Sequence, residues 1–254
     1  MSYRVAVANQ KGGVGKTTIS LGLAGILSEM GKKVLLVDMD QQGNLSSVFF
    51  DDINLLKPTV FDLLVSDNVE IKDVVKKTNI KNIDILPANL SLSNLDAQLA
   101  GEDDAQYYLM EELNEINSGY DFVIVDCPPS LSRATRMSLV AAHGVIVPIE
   151  CQEWAVKGAT RFDDFVQRVK HRANSKLQIL GFLINKFNPR RSVETAYNQA
   201  LRAAYPNKIF KTEFNNNVQF TESASARLPI NYYLPKSKQA EVFRNFVNEF
   251  LTYV

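Results

Sequence analysis

Three segments follow one another without a break at the start of the chain: YRVAVA (3–8), NQKGGVGKTT (9–18) and TTISLGLAGILSEMG (17–31). The first is a short apolar, β-branched run, the second a glycine-rich turn, and the third has helical spacing with a terminal glycine as C-cap. Strand, glycine-rich turn, then helix is the context that makes a phosphate-binding loop. Gly12, Gly13 and Gly15 let backbone approach an anion with no Cβ in between. The helix beginning near Lys16 adds its N-terminal dipole and free amides to the same place. In the common pattern, G-x-x-x-x-G-K-[ST], the lysine reaches the β/γ oxygens and the hydroxyl ligates Mg²⁺. Aligning Gly15-Lys16-Thr17 on that pattern puts Gln10 where its first glycine stands, and Lys11 brings a second cation to the loop's entrance.

The rest of the chain alternates apolar runs with helical patterns. KVLLVDMD (33–40), IDILPA (83–88), YDFVIVDCP (120–128), GVIVPIE (144–150) and LQILGFLIN (177–185) read as buried strands, with helices expected over 105–116, 131–142, 154–173, 192–205 and 236–252. This implies an α/β fold, a mostly parallel twisted sheet flanked by helices on both faces. Only 44–82 resists assignment. With 254 residues, 46% of them hydrophobic, the chain can bury one large core, and nothing calls for a second domain. Cys127 and Cys151 have no CxxC spacing, which argues against a disulfide framework or a metal site. No signal peptide pattern and no uninterrupted apolar stretch of membrane-spanning length is present, so a cytoplasmic protein is expected.

Two further carboxylate motifs complete a site. Asp126, at the end of YDFVIVDCPPS, suits a carboxylate that holds Mg²⁺ through its water shell; read alone, it is more simply a strand-end cap for the next helix, and beside the loop that reading is the weaker one. Asp38 and Asp40 in LLVDMDQQGN stand at i and i+2, which on a strand puts them on one side, at the carboxyl end where open α/β sheets bind ligands. One can organise the metal's waters while the other positions an attacking water. Two exposed turn aspartates are the ordinary alternative, but that leaves their pairing with the loop unexplained.

KGGVGKTT, VLLVDMDQQGN, DFVIVDCPPSL and LPINYYLPKSKQAEVF together resemble the ParA/MinD group of deviant-Walker P-loop ATPases, on the side of the small, Soj-like ParA partition and positioning proteins, which include carboxysome-positioning McdA-like members. The resemblance runs through PTVFDLL (58–64) and ILPANLSLSNLDAQL (85–99) over nearly the whole chain, and implies a single ATPase domain over 1–254. It implies ATP and Mg²⁺ as cofactors and a nucleotide-sandwich homodimer, in which Lys11 reaches the phosphates of the partner's nucleotide. Lys16 then binds the β/γ phosphates within a loop of Lys11, Gly12, Gly13, Val14, Gly15, Lys16, Thr17 and Thr18. Thr17, Asp38 and Asp126 attend the metal, Asp40 matches the family's hydrolysis residue, and Asn185 matches a position that contacts adenine.

The family divides by the surface on which the dimer works. Residues 1–150 carry 12 Lys and Arg against 20 Asp and Glu, whereas residues 151–254 carry 16 against 8. The basic half favours double-stranded DNA bound without sequence preference on the nucleoid, with Arg161, Arg168, Lys170, Arg172, Arg190, Arg191 and Arg202 as candidate contacts. A solvated surface is the bland reading of the same charges. The tail places Val242, Phe243, Phe246, Val247, Phe250 and Leu251 at helical spacing, with Arg244 as its last basic residue. A membrane-surface helix presents Lys and Arg along its polar face, so a docking face against the core is expected, and no membrane partner.

Only eight residues precede Asn9, so the helix-turn-helix of larger plasmid ParA proteins, and with it site-specific autorepression, is not expected. The two cysteines do not match an iron–sulfur arrangement. With no arginine finger or strong general base in view, hydrolysis is expected to be weak alone and stimulated by a ParB-like or McdB-like adaptor. The cargo can be DNA or a protein body. A metabolic or metal-loading P-loop ATPase is the alternative of another class.

Overall fold

The computed structural model describes residues 1–254. Seven strands form one sheet: β1 (Tyr3–Val7), β2 (Val34–Asp38), β3 (Lys76–Lys77), β4 (Ile83–Leu86), β5 (Phe122–Asp126), β6 (Gly144–Ile149) and β7 (Gln178–Ile184), in the spatial order β3-β4-β2-β5-β1-β6-β7. Every pairing is parallel except β3 with β4. Alternate residues of each strand serve opposite faces, and both faces are dry. Leu35, Val37, Val123, Val125, Val145 and Val147 pack beneath the helices Tyr108–Glu115, Arg133–Ala141 and Ala155–Arg172. Val34, Leu36, Ile124, Ile146 and Leu183 pack beneath Lys16–Glu29 and Lys238–Phe250. Strands buried on both sides read as unbroken apolar runs, which is why six of the seven strands were visible in the sequence.

The tail settles against the Lys16–Glu29 helix. Phe243, Phe246, Val247 and Phe250 are fully buried, and Phe243 stacks obliquely on Phe214 with ring centroids 4.6 Å apart. Gly22 makes room for it: a Cβ there would lie 2.2 Å from the Phe243 ring. Val242 and Leu251 are partly buried against the same cluster, so the apolar stripe is core. No helix is long and apolar enough to cross a membrane.

The stretch 44–82 contains only short elements: turns of 3₁₀ helix at Ser46–Val48 and Ile53–Leu55, helices Val60–Val65 and Ile71–Val74, and β3. The first of these helices has a capping box, in which the Asp62 carboxylate accepts from the Thr59 amide at 2.7 Å. β2 ends at Asp38, two residues before the expected boundary, because the Asp38 carboxylate accepts the amide of Asp40 at 3.1 Å and turns the chain.

Candidate nucleotide site

The carboxyl ends of β1, β2, β5, β6 and β7 deliver the loop, Asp38–Asp40, Asp126, Glu150 and Asn185 to one edge of the sheet. Gly13 and Gly15 hold φ of 75° and 90°, the left-handed region that a side chain disfavours. Gly15 also lies against Asn185, whose amide nitrogen would stand 2.2 Å from a Cβ. Asn185 is buried and clamps the loop rather than facing outward: its Nδ2 donates to the Val14 carbonyl at 2.7 Å. A cavity of about 390 Å³ opens over the loop, lined by Gly13, Lys16, Thr17, Thr18, Asp40 and Asn185, among others.

The two lysines of the motif part company. Lys16 is buried and folds back over the loop, its Nζ donating to the Lys11 carbonyl at 3.3 Å. Burial lowers its pKa, while Asp126, Cys127 and Asp40 act against that. Lys11 leaves the loop altogether. Its half-exposed Nζ lies 2.9 Å from Glu150 and also bonds Gln152, both just past β6.

Behind the loop sits a pair of carboxylates. Thr17 Oγ1 donates to Asp126 Oδ2 at 2.7 Å, and Ser20 Oγ donates to Asp126 Oδ1 at 3.0 Å. Asp38 is fully buried and receives Ser46 twice on one oxygen, from the amide at 2.9 Å and the hydroxyl at 2.8 Å. Burial, helped by nearby Asp38, pushes the Asp126 carboxyl up to about 7 against its hydrogen bonds from Thr17 and Ser20. Burial also raises Asp38, to about 6, against the bonds from Ser46 and Asp40. Asp40 lies beyond the strand in the turn, on the loop's side, its Oδ1 accepting from the Gln42 amide at 3.0 Å. Cys127 is an inert thiol, pushed up to about 12 by burial.

The chemistry of this donor set fits a magnesium nucleotide. A threonine hydroxyl beside a carboxylate offers the hard oxygen ligands that Mg²⁺ takes. Lys16 is an ammonium removed from water with only a backbone carbonyl to bond, next to amides at a helix N-terminus, so an anion improves its surroundings.

Other anticipated residues are dispersed. Arg161, Arg168 and Arg172 are exposed and Lys170 half-buried on the Ala155–Arg172 helix, where the basic last turn also complements the helix dipole. Arg190 and Arg191 are exposed, with Arg191 paired to Glu194 at 3.0 Å. Arg202 is held more firmly than the rest of that set. Its part-buried guanidinium bonds Glu213 at 2.7 Å, Asn198 at 2.9 Å and the Phe210 carbonyl at 3.2 Å, a brace between its helix and the following segment. Ser20, Ser46, Glu150 and Lys186 were not singled out from the sequence. Ser20 alone left a signal there, one helical turn after Thr17 on the same face.

A mostly parallel sheet with a phosphate loop after β1, and a threonine of the following helix bonded to a carboxylate at the end of the adjacent strand β5, defines a P-loop nucleoside triphosphatase. The AAA domain family matches residues 2–179. The sporulation initiation inhibitor protein Soj of Bacillus subtilis (strain 168) is 34% identical over 249 residues, covering 98% of each chain. The chromosome-partitioning ATPase Soj of Treponema pallidum (strain Nichols) is 35% identical over 250 residues, 98% of this chain and 97% of that one. A crystal structure of cobyrinic acid a,c-diamide synthase from Mycobacterium smegmatis with bound ADP and magnesium superposes with a TM-score of 0.87 at 32% identity, over 100% of this chain and 95% of that one. The chain belongs to the Soj/ParA family of P-loop ATPases.

Proposed function

We propose that this chain is one Mg-ATP-dependent ATPase domain that dimerises on ATP, binds nucleoid DNA without sequence preference in that state, and segregates a chromosome or plasmid. The observation that carries the reading is the opposite disposition of Lys11 and Lys16, one outside its own loop and the other folded into it. A lysine that leaves its own loop is available to a facing subunit. Two facing nucleotides bring several negative charges together, and a cation from each side offsets their repulsion.

Within one subunit, Lys16 and the loop amides hold the β and γ phosphates, Thr17 and Asp126 hold the metal, and Asp38 fixes the turn that carries Asp40. When bound, Mg²⁺ neutralises charge shared between the phosphates. Asp40, anchored by the Gln42 amide, orients the attacking water. Asn185 keeps the loop shaped through Val14, and this grip must slacken if it also contacts adenine. No arginine lines the cavity over the loop, so turnover is slow until a ParB-like protein stimulates it. The exposed arginines of 161–172 and half-buried Lys170, with Arg190 and Arg191, supply backbone-directed DNA contacts, doubled in the dimer. Partition is favoured by the chromosome-partitioning relative matched along almost its full length. Positioning of a protein body through an McdB-like adaptor uses the same switch and differs only in the partner.

The test is binding to a non-specific duplex with ATP, with ADP and without nucleotide, at two salt concentrations. ATP-specific, salt-sensitive binding that Lys11→Ala abolishes is the expected result. Nucleotide-independent binding, or none at low salt, overturns the DNA switch.

A further inference from the structure

Glu150 holds two lysines at once. Its Oε2 takes Lys11 at 2.9 Å and its Oε1 takes Lys186 at 3.3 Å, and its side chain is only 12% exposed. Lys186 also donates to the carbonyl of Gly13, directly on the phosphate loop, and lines the cavity above it. Its backbone is strained into place, with φ of 55° at a residue that has a Cβ. That turn is stabilised by the preceding side chain, since Asn185 Oδ1 accepts the Lys186 amide at 2.9 Å. Asn185 and Lys186 thus grip the successive carbonyls of Val14 and Gly13 from one tight turn at the end of β7. A strained turn that aims a cation at an anion-binding loop points to a ligand rather than to packing: the Lys186 side chain is 42% exposed, and its ammonium meets a loop carbonyl and Glu150 rather than the apolar core.

We propose that Lys186 is a third cation of the phosphate site, acting on the nucleotide of its own subunit, and that Glu150 is the counter-ion that holds both Lys186 and Lys11 until a nucleotide draws them away. This rests on the nucleotide-site reading above. The phosphates of ATP carry more charge than one carboxylate, so two ammonium groups sharing Glu150 gain a stronger partner when a nucleotide enters. Lys186 is placed to contact phosphate in cis, and Lys11 becomes free for the facing subunit. Glu150 therefore opposes nucleotide binding, and Lys186 favours it.

The opposite signs make the test. Affinity for a fluorescent ATP analogue with Mg²⁺ is measured alongside ligand-free melting temperature, with Lys11→Ala present throughout to remove cross-subunit binding. Lys186→Met is expected to weaken nucleotide binding about tenfold, the loss of roughly one charge-assisted contact. Lys186→Arg is expected to keep most of the affinity, and Glu150→Gln to tighten it several-fold, as the loss of a competing ion contact requires. If Lys186→Met binds as tightly as its parent, or if Glu150→Gln weakens binding together with a fall in melting temperature, the two residues form only a structural brace and the proposal is overturned. The parent and Lys16→Ala separate this result from failure of the underlying reading. A parent that binds no nucleotide overturns both, whereas binding lost in Lys16→Ala but intact in Lys186→Met overturns this one alone.

Discussion

Asp38 and Asp126 stand in register on the neighbouring strands β2 and β5, both buried behind the phosphate loop. Two carboxylates so placed cannot both ionise at little cost, and burial pushes them up to about 6 and about 7. The pair therefore favours holding a proton near neutral pH, and a divalent cation beside it would take that proton's place.

This preference sets a pH dependence of known sign. The folded pKa of Asp126 lies above its ordinary value of 3.8, so the folded state holds the proton more tightly than the unfolded chain does. Its contribution is neutral below about pH 4, turns unfavourable as pH rises to about 7, and stays fully unfavourable above that. Asp126→Asn is therefore expected to be more stable than wild type at pH 8 without nucleotide, by at most about 4 kcal/mol at 1.36 kcal/mol per pKa unit, with the gap closing towards pH 4. The same variant loses stabilisation by Mg-ATP. Paired melts across pH, with and without Mg-ATP, check both halves.

The two motif lysines separate by assay. Lys16→Ala is expected to abolish nucleotide binding, because the buried ammonium has no substitute in the loop. Lys11→Ala is expected to leave single-subunit nucleotide binding within a few-fold of wild type, since its Nζ lies on Glu150 and Gln152, outside the loop. It should remain monomeric when ATP is added. Light scattering with ATP against ADP, beside direct nucleotide titration, reads both outcomes.

Much of the site was legible because its residues sit at fixed offsets from strand ends: Lys16 and Thr17 after β1, Asp38 at the end of β2, Asp126 at the end of β5. Ser46 was not, because it reaches Asp38 through a turn of eight residues with no periodic signal. Glu150 and Lys186 matter only because β6 and β7 end side by side, a relation of strands that spacing along the chain does not express. The edge strand β3 was hidden for the opposite reason: two lysines in an antiparallel pairing carry no apolar run at all. Arg202 read like the other arginines because composition counts its charge without its partner Glu213.

Arg202 and the exposed arginines should part in stability and DNA assays. Arg202→Ala leaves Glu213 and Asn198 with a lost partner, so it is expected to cost about 1–3 kcal/mol of stability while changing DNA affinity little at a temperature where the fold persists. Arg161→Ala and Arg168→Ala are expected to melt within about 0.5 kcal/mol of wild type, as exposed surface changes do. Each should reduce the slope of log affinity against log salt by about one when its arginine meets a phosphate. Denaturant melts with salt-titrated DNA binding distinguish the two groups.

The close contact of Gly22 with Phe243 ties the nucleotide-site helix to the tail. Lys16 and Thr17 begin the same helix that carries Gly22, so displacing that helix displaces the phosphate site. Gly22→Ala puts a methyl group 2.2 Å from a ring already packed on Phe214, and a helix residue that gains propensity still loses on overpacking. The expected net cost is about 1–2 kcal/mol of stability, with weaker nucleotide binding as the helix start shifts. Phe243→Leu in the same chain should recover part of both, since it removes ring atoms at the clash. A double-mutant cycle on melting and nucleotide affinity measures the coupling. If the two substitutions add independently, the helix and tail are not joined through this contact.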